Sequence, residues 1–291
     1  MKKILFKGCG TAIATPFTDT GVNFEEFGKL IEEQIANHVD ALIVCGTTGE
    51  SATMTDEERR KTMKFAIDTV HKRVPVILGT GSNCTANVIS LSQYAESIGA
   101  DGVLIVTPYY NKTTQKGLIA HYQAISKSIS IPIILYNVPS RTGVNITPET
   151  CLELSKIENI VAIKEASGNI SQVAEIAALC KDNLMIYSGN DDQIVPILSL
   201  GGLGVISVLS NIEPQFTHDL VYDFLEGRIL DATKKQLHAL PLIQALFSEV
   251  NPIPVKAALN YKGYHFGDPR LPLIPMSAEK EKQLIEEMKK F

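Results

Sequence analysis

Eight short apolar runs, each followed by a longer stretch of helical period, constrain this chain more than any other feature. The runs fall at residues 10–14, 41–44, 76–78, 102–106, 133–136, 161–164, 185–187 and 204–208. They do not alternate apolar with polar, so both faces are expected to be covered, as in parallel strands flanked by helices. Between them Phe24, Phe27, Ile31, Ile35 and Val39 recur every three or four residues, with Asn23 and Glu26 as a start signal. Thr55 with Glu58 repeats that device before Met63, Ile67 and Val70, and Thr85 opens a third helix through Val88, Leu91, Ala95 and Ile98.

A weak internal repeat has the same meaning. His38-Val39-Asp40-Ala41-Leu42-Ile43-Val44 is similar to Gly99-Ala100-Asp101-Gly102-Val103-Leu104-Ile105-Val106, each a helix end turning tightly into a strand. Eight such units fit a closed (β/α)8 TIM barrel, and 291 residues suit one. An open doubly wound sheet would favour a G-x-G-x-x-G turn after the first strand, and none follows it. No strand pattern remains beyond residue 215. We therefore expect a barrel core over 1–215 and a helical C-terminal extension over 216–291 packed on it, not an independent domain. The Pro-rich stretches 251–254 and 269–275 read as loops.

Charge excludes some function classes. Thirty-two acidic residues against 27 basic give −5 without a basic run, which argues against a nucleic-acid surface. Cys9, Cys45, Cys84, Cys151 and Cys180 are scattered and never form C-x-x-C, so they read as reduced thiols of a cytoplasmic protein. The N-terminus lacks the apolar core of a signal peptide, and no run reaches the roughly 18 residues of a membrane span. The six histidines (38, 71, 121, 218, 238 and 265) lack metal-ligand spacing, and there is no G-x-x-x-x-G-K-[ST] loop. Gly201-Gly202-x-Gly204 reads as the tight lead into the eighth strand. Neither metal nor cofactor is expected.

The candidate chemistry gathers after the carboxyl ends of the strands, where such barrels carry their sites. Lys164 closes an apolar run, so its stem starts inside the barrel, where burial favours the neutral amine that attacks a carbonyl. The plainer reading is a strand-capping lysine that snorkels to solvent or pairs with Glu165. Tyr136, at the end of the neighbouring strand, is placed to move protons, or simply to pack. Thr47 and Thr48 lie between two glycines, where backbone N–H groups and hydroxyls can meet a carboxylate; an ordinary turn is the alternative. Arg141 is a bidentate carboxylate clamp or a solvated surface arginine.

Together, Gly46-Thr47-Thr48-Gly49-Glu50, Tyr136-Asn137-Val138-Pro139 and Lys164-Glu165-Ala166-Ser167-Gly168 resemble the dihydrodipicolinate synthase / N-acetylneuraminate lyase family, from Thr11 through at least Ser207. The resemblance implies a lyase-type enzyme in which Lys164 forms an imine with pyruvate, with Tyr136, Thr47 and Tyr110 as a proton relay. Thr48 would hold the pyruvate carboxylate, and Gly189 and Ile206 would line the pocket through their backbone. Arg141 in Pro-Ser-Arg-Thr-Gly, with Thr-Pro-Tyr-Tyr-Asn-Lys, resembles the synthase branch, whose second substrate is aspartate 4-semialdehyde and whose pathway makes diaminopimelate and lysine. Family members form a homotetramer of two tight dimers, with the residue matching Tyr110 crossing between subunits. Ser51, Ala52, Asn83 and Tyr109 match part of the family's lysine-inhibition site, but Asp56, Arg59 and Asn87 replace two histidines and a glutamate, which implies weak inhibition. A sister aldolase acting on a sugar acid such as N-acetylneuraminate, or on a 2-keto-3-deoxy acid, and a non-catalytic keto-acid binder are the competing readings.

Overall fold

The structure, a computed structural model, describes residues 2–291. The eight runs form β1 (Gly8–Ala12), β2 (Ala41–Val44), β3 (Val76–Gly79), β4 (Gly102–Val106), β5 (Ile133–Asn137), β6 (Ile160–Glu165), β7 (Met185–Ser188) and β8 (Gly204–Ser207). Each pairs in parallel with the next and β8 pairs with β1, so the sheet closes and leaves no edge. This is the expected (β/α)8 TIM barrel. The first strand runs two residues earlier than its apolar run, because beyond Ile13 the chain leaves for a two-rung hairpin, Phe17–Thr18 with Gly21–Val22.

Helices α1 (Phe24–Ala36), α2 (Asp56–Val70), α3 (Thr85–Ser97), α4 (Gln115–Ser126), α5 (Pro148–Ser155), α6 (Ile170–Cys180), α7 (Ile194–Ser199) and α8 (Pro214–Leu225) surround the barrel. Since α8 packs on β1 and β8, it completes the eighth unit, and the division expected at 215/216 falls in its first turn. Then follow α9 (Ile229–Leu246), α10 (Ile253–Tyr261) and α11 (Ala278–Lys290). Part of the first Pro-rich stretch is thus helical: Pro254 lies in the first turn of α10, where a missing N–H costs nothing.

Local signals act as their chemistry dictates. Thr55 and Glu58 form both bonds of a capping box. Asn23 caps α1 alone, because the Glu26 carboxylate is taken by the His265 N–H and by Lys29. The repeated segments share one device: His38 and Gly99 turn left-handed, at φ of 63° and 87°. Asp40 and Asp101 then accept the N–H of Cys9 at 2.7 Å and of Val76 at 2.9 Å, locking each strand to its neighbour.

Phe6 plugs the amino end of the barrel. It stacks on Tyr187 with ring centroids 4.3 Å apart and accepts the Tyr187 hydroxyl at its carbonyl, 2.6 Å away. Above it Ile43, Ile77, Leu104, Ile134 and Ile206 fill the interior. All five cysteines are free, Cys84 exposed and the others buried. Among the described residues no helix is long and apolar enough to cross a membrane.

Candidate active site

Strand alternation decides which polar groups enter the barrel. Tyr136 and Lys164 are register partners on β5 and β6, and so are Asn137 and Glu165. The first pair faces inward in one layer. Lys164 is 5% exposed and Tyr136 7%, and the amine lies 4.5 Å from the centre of the phenol ring. The second pair faces the helices. There Glu165 accepts Asn137 Nδ2 at 3.0 Å, the Ser167 N–H at 2.7 Å and Gln172 Nε2 at 3.4 Å, so it is not the partner of Lys164. Burial pushes the Glu165 carboxyl up, opposed by those donors. This network clamps the carboxyl ends of β5 and β6 together behind the two inward groups.

Gly189 makes room for the lysine. A Cβ there would stand 2.6 Å from that of Ala166 and 3.1 Å from Lys164 Cε, so any side chain would displace the stem. Ile206 is fully buried in the same interior cluster as Tyr136, with its backbone paired to β1 at Gly10.

A cavity of about 330 Å³ reaches this layer at Tyr136 and is lined also by Thr47, Arg141, Arg59, Tyr109 and Asn251 among others, while Lys164, Thr48, Gly189 and Ile206 lie outside its lining. The Gly-Thr-Thr-Gly loop forms one wall. It packs closely across β3: a Cβ on Gly79 would meet the Cys45 carbonyl oxygen at 2.3 Å. Thr48 is buried, and its hydroxyl accepts Asn251 Nδ2 at 3.0 Å, which leaves its own hydrogen to donate. Arg141 is exposed on the one-turn helix Pro139–Thr142, with Nη2 3.2 Å from the Asn251 carbonyl. Tyr110 is not brought to this cavity. It is 89% exposed, at φ 70°, and faces away from the rest of the chain.

Several rim residues escaped the reading of the sequence because they come from the C-terminal extension. Asn251 joins Thr48 to Arg141, which are 93 positions apart. Lys256 is buried on α10 and donates to Glu50 Oε1 at 2.8 Å and to the Asp268 carbonyl at 3.1 Å. Burial lowers the Lys256 pKa, and the Glu50 carboxylate opposes that. The other Glu50 oxygen accepts the Arg270 N–H at 3.0 Å. The one available signal was a lysine inside the apolar run Ile253–Leu259.

Six buried side-chain atoms lack a hydrogen-bond partner among the described residues: Thr15 Oγ1, Arg59 Nε, Thr107 Oγ1, His121 Nε2, Asp191 Oδ1 and Asn251 Oδ1. All but that of His121 lie in loops after strand carboxyl ends or on the cavity wall. Buried polar groups are normally paired, so this concentration sets the carboxyl end of the barrel apart from the rest of the interior.

The fold and this rim define a class: a (β/α)8-barrel protein with an amine on β6 and a phenol on β5, level with each other at the carboxyl end of the barrel, where the phenol lines a cavity. The chain belongs to the dihydrodipicolinate synthetase family, whose model matches residues 5–291. It is 56% identical over 287 residues to 4-hydroxy-tetrahydrodipicolinate synthase 1 of Clostridium acetobutylicum, covering 99% of this chain and 98% of that one. The synthase of Acetivibrio thermocellus is 55% identical over 100% of this chain and 99% of its own. The crystal structure of dihydrodipicolinate synthase from Thermotoga maritima superposes with a TM-score of 0.97 at 43% identity, covering 99% of each chain.

Proposed function

We propose that this chain is a 4-hydroxy-tetrahydrodipicolinate synthase that joins pyruvate to aspartate 4-semialdehyde through an imine on Lys164, in diaminopimelate and lysine biosynthesis. The observation that carries this reading is the Lys164–Tyr136 register pair, whose phenol lines a cavity walled by Thr47 and Arg141. Lys164 attacks the pyruvate carbonyl, and water leaves. Loss of a methyl proton gives an enamine, which attacks the aldehyde carbon, and cyclisation frees the lysine. Tyr136, Thr47 and Tyr110 relay protons. Thr48 holds the pyruvate carboxylate with the hydrogen its hydroxyl retains, and Arg141 holds the carboxylate of the semialdehyde. Gly189 and Ile206 shape the floor. No cofactor or metal takes part.

As the resemblance implies, we place the chain in the cytoplasm as a tetramer of two tight dimers; the exposure of Tyr110, with Leu271 at 80% and Ile274 at 61%, supports the part of this reading in which Tyr110 completes a neighbour's site. Lysine inhibits weakly. The Arg59 guanidinium, bonded to the Gly79 carbonyl at 2.6 Å, lines the cavity beside Ser51, Ala52 and Tyr109 and repels a cationic ligand, while Asp56 is held by Arg60 at 2.8 Å.

Borohydride with pyruvate should trap an adduct on Lys164, and purified protein should consume pyruvate with aspartate 4-semialdehyde but not with N-acetylmannosamine. Turnover with the sugar alone would move the chain to the lyase branch. An unlabelled Lys164 would end the covalent mechanism.

A further inference from the structure

Asn251 stands in the link between α9 and α10, flanked by Val250 and Pro252, and all three line the cavity at the carboxyl end of the barrel. Asn251 is 5% exposed. Its side-chain amide donates from Nδ2 to Thr48 Oγ1 at 3.0 Å, and its backbone carbonyl accepts Arg141 Nη2 at 3.2 Å. One residue of the C-terminal extension therefore touches both side chains to which the proposed reaction gives a carboxylate. Its remaining polar atom, Oδ1, is buried with no hydrogen-bond partner among the described residues. An unpaired buried acceptor destabilises a fold, and an apolar side chain of similar shape would fill the space without that penalty. Folding alone does not account for an asparagine here.

The direction of the bond to Thr48 decides what that threonine can do. A hydroxyl carries one hydrogen and two lone pairs. Because the amide N–H occupies a lone pair, the Thr48 hydrogen is turned away from Asn251 and stays free to donate. Among the described residues the Thr48 hydroxyl bonds no other group, so Asn251 alone sets its orientation. The nearby Glu50 carboxylate does not compete for that hydrogen, since Lys256 and the Arg270 N–H already hold its two oxygens. A donor fixed in advance needs no rearrangement when a negative charge arrives.

We propose that Asn251 is a positioning residue for pyruvate: its amide holds the Thr48 hydroxyl as a donor toward the pyruvate carboxylate. This rests on the role given to Thr48 in the proposed function. The side chain acts on one substrate only. Arg141 is anchored by the backbone carbonyl, which any residue at this position supplies, so the hold on the semialdehyde carboxylate does not depend on the amide.

The measurement is kcat and KM for each substrate in Asn251→Ala, Asn251→Asp and Thr48→Val, beside borohydride trapping of the pyruvate adduct. In Asn251→Ala, kcat/KM for pyruvate should fall about tenfold through KM, while kcat and the value for the semialdehyde hold. Asn251→Asp keeps the size of the side chain but offers only acceptors. It takes up the Thr48 hydrogen and sets a like charge against the pyruvate carboxylate, so its loss should be larger, about a hundredfold. A role in packing alone would rank the two variants the other way. In a Thr48→Val background, Asn251→Ala should add less than about a twofold loss, because the hydroxyl it serves is gone. An unchanged kcat/KM for pyruvate with Lys164 still trapped overturns the proposal. So does a smaller loss in Asn251→Asp than in Asn251→Ala, or full additivity with Thr48→Val. Should Asn251→Ala fail to fold, Asn251→Asp carries the test against the unaltered protein, and equal kcat/KM for pyruvate overturns the proposal. No adduct in the unaltered protein removes the imine reading, and this role of Asn251 with it.

Discussion

The two ends of the barrel are built on opposite principles. At the amino end Phe6 stacks on Tyr187 and accepts its hydroxyl, so the plug is apolar and its polar atoms are paired. At the carboxyl end lie a buried lysine, a buried aspartate, a buried Lys256–Glu50 pair and five of the six buried side-chain atoms that lack partners among the described residues. One end is arranged for stability, and the other holds polar groups that folding alone would not retain. The lesson is that unpaired polarity in a well-packed fold has an address. Substitutions at the rim should therefore cost rate, and substitutions at the plug should cost stability.

Tyr136→Phe is the sharpest test at the rim. It removes one oxygen from a side chain whose ring already packs under the cavity, so melting should be nearly unchanged. If the phenol relays protons, kcat should fall by roughly 10²- to 10⁴-fold. A variant that keeps its rate would leave Tyr136 a packing residue and weaken the contrast between the ends.

Lys256→Met tests a rim residue whose role is architectural. It strands Glu50 in the interior beside the Gly-Thr-Thr-Gly loop. Breaking a buried pair this way costs about 3 to 5 kcal/mol. Adding Glu50→Gln should recover much of that stability in denaturant unfolding. Failure to recover it would mean that Lys256 acts through its bond to the Asp268 carbonyl and its contact over Phe17 rather than through the pair.

These two residues also mark where the sequence is legible and where it is not. Tyr136 and Lys164 end apolar runs, and the period of two puts each inside, so their layer can be read before any coordinates exist. Eight units of strand and helix likewise announce a closed barrel. Lys256 and Asn251 could not be found this way. Their partners, Glu50 and Thr48, are 206 and 203 positions away, and nothing in the periodicity of α10 says which loop it will meet. Asp191 stood in a loop of polar residues with no local mark to set it apart. Its burial depends on the turn after β8 folding onto it. Tyr110 is a different case: in the dimer proposed above its place in a site would come from a second chain, which no single-chain pattern contains.

At the plug, Phe6→Ala should cost about 3 kcal/mol by opening a cavity against Tyr187. The folded fraction should retain its kcat, because the lost ring lies at the far end of the barrel from Lys164. A large loss of kcat with little loss of stability would show that the two ends are coupled through the interior layers.

The smallest expected effect concerns the one unpartnered atom, among the described residues, that lies away from the rim. His121 lies on α4 and faces α3, with Nδ1 2.9 Å from Thr85 Oγ1 at the start of α3 and Nε2 buried without a partner among the described residues. Burial lowers its pKa from 6.5 to about 4. Folding therefore favours the neutral ring, while the unfolded chain takes up a proton below about 6.5. The contribution is fully present above that pH and is lost as pH falls toward about 4. His121→Gln keeps a partner for Thr85 and cannot titrate. Between pH 7 and pH 5 the variant should lose about 1 to 2 kcal/mol less stability than its parent, allowing for partial screening. Equal losses would mean that the His121 ring is solvated in the folded protein. Its unpaired nitrogen would then no longer count as buried polarity, and every such atom that remained would belong to the functional rim.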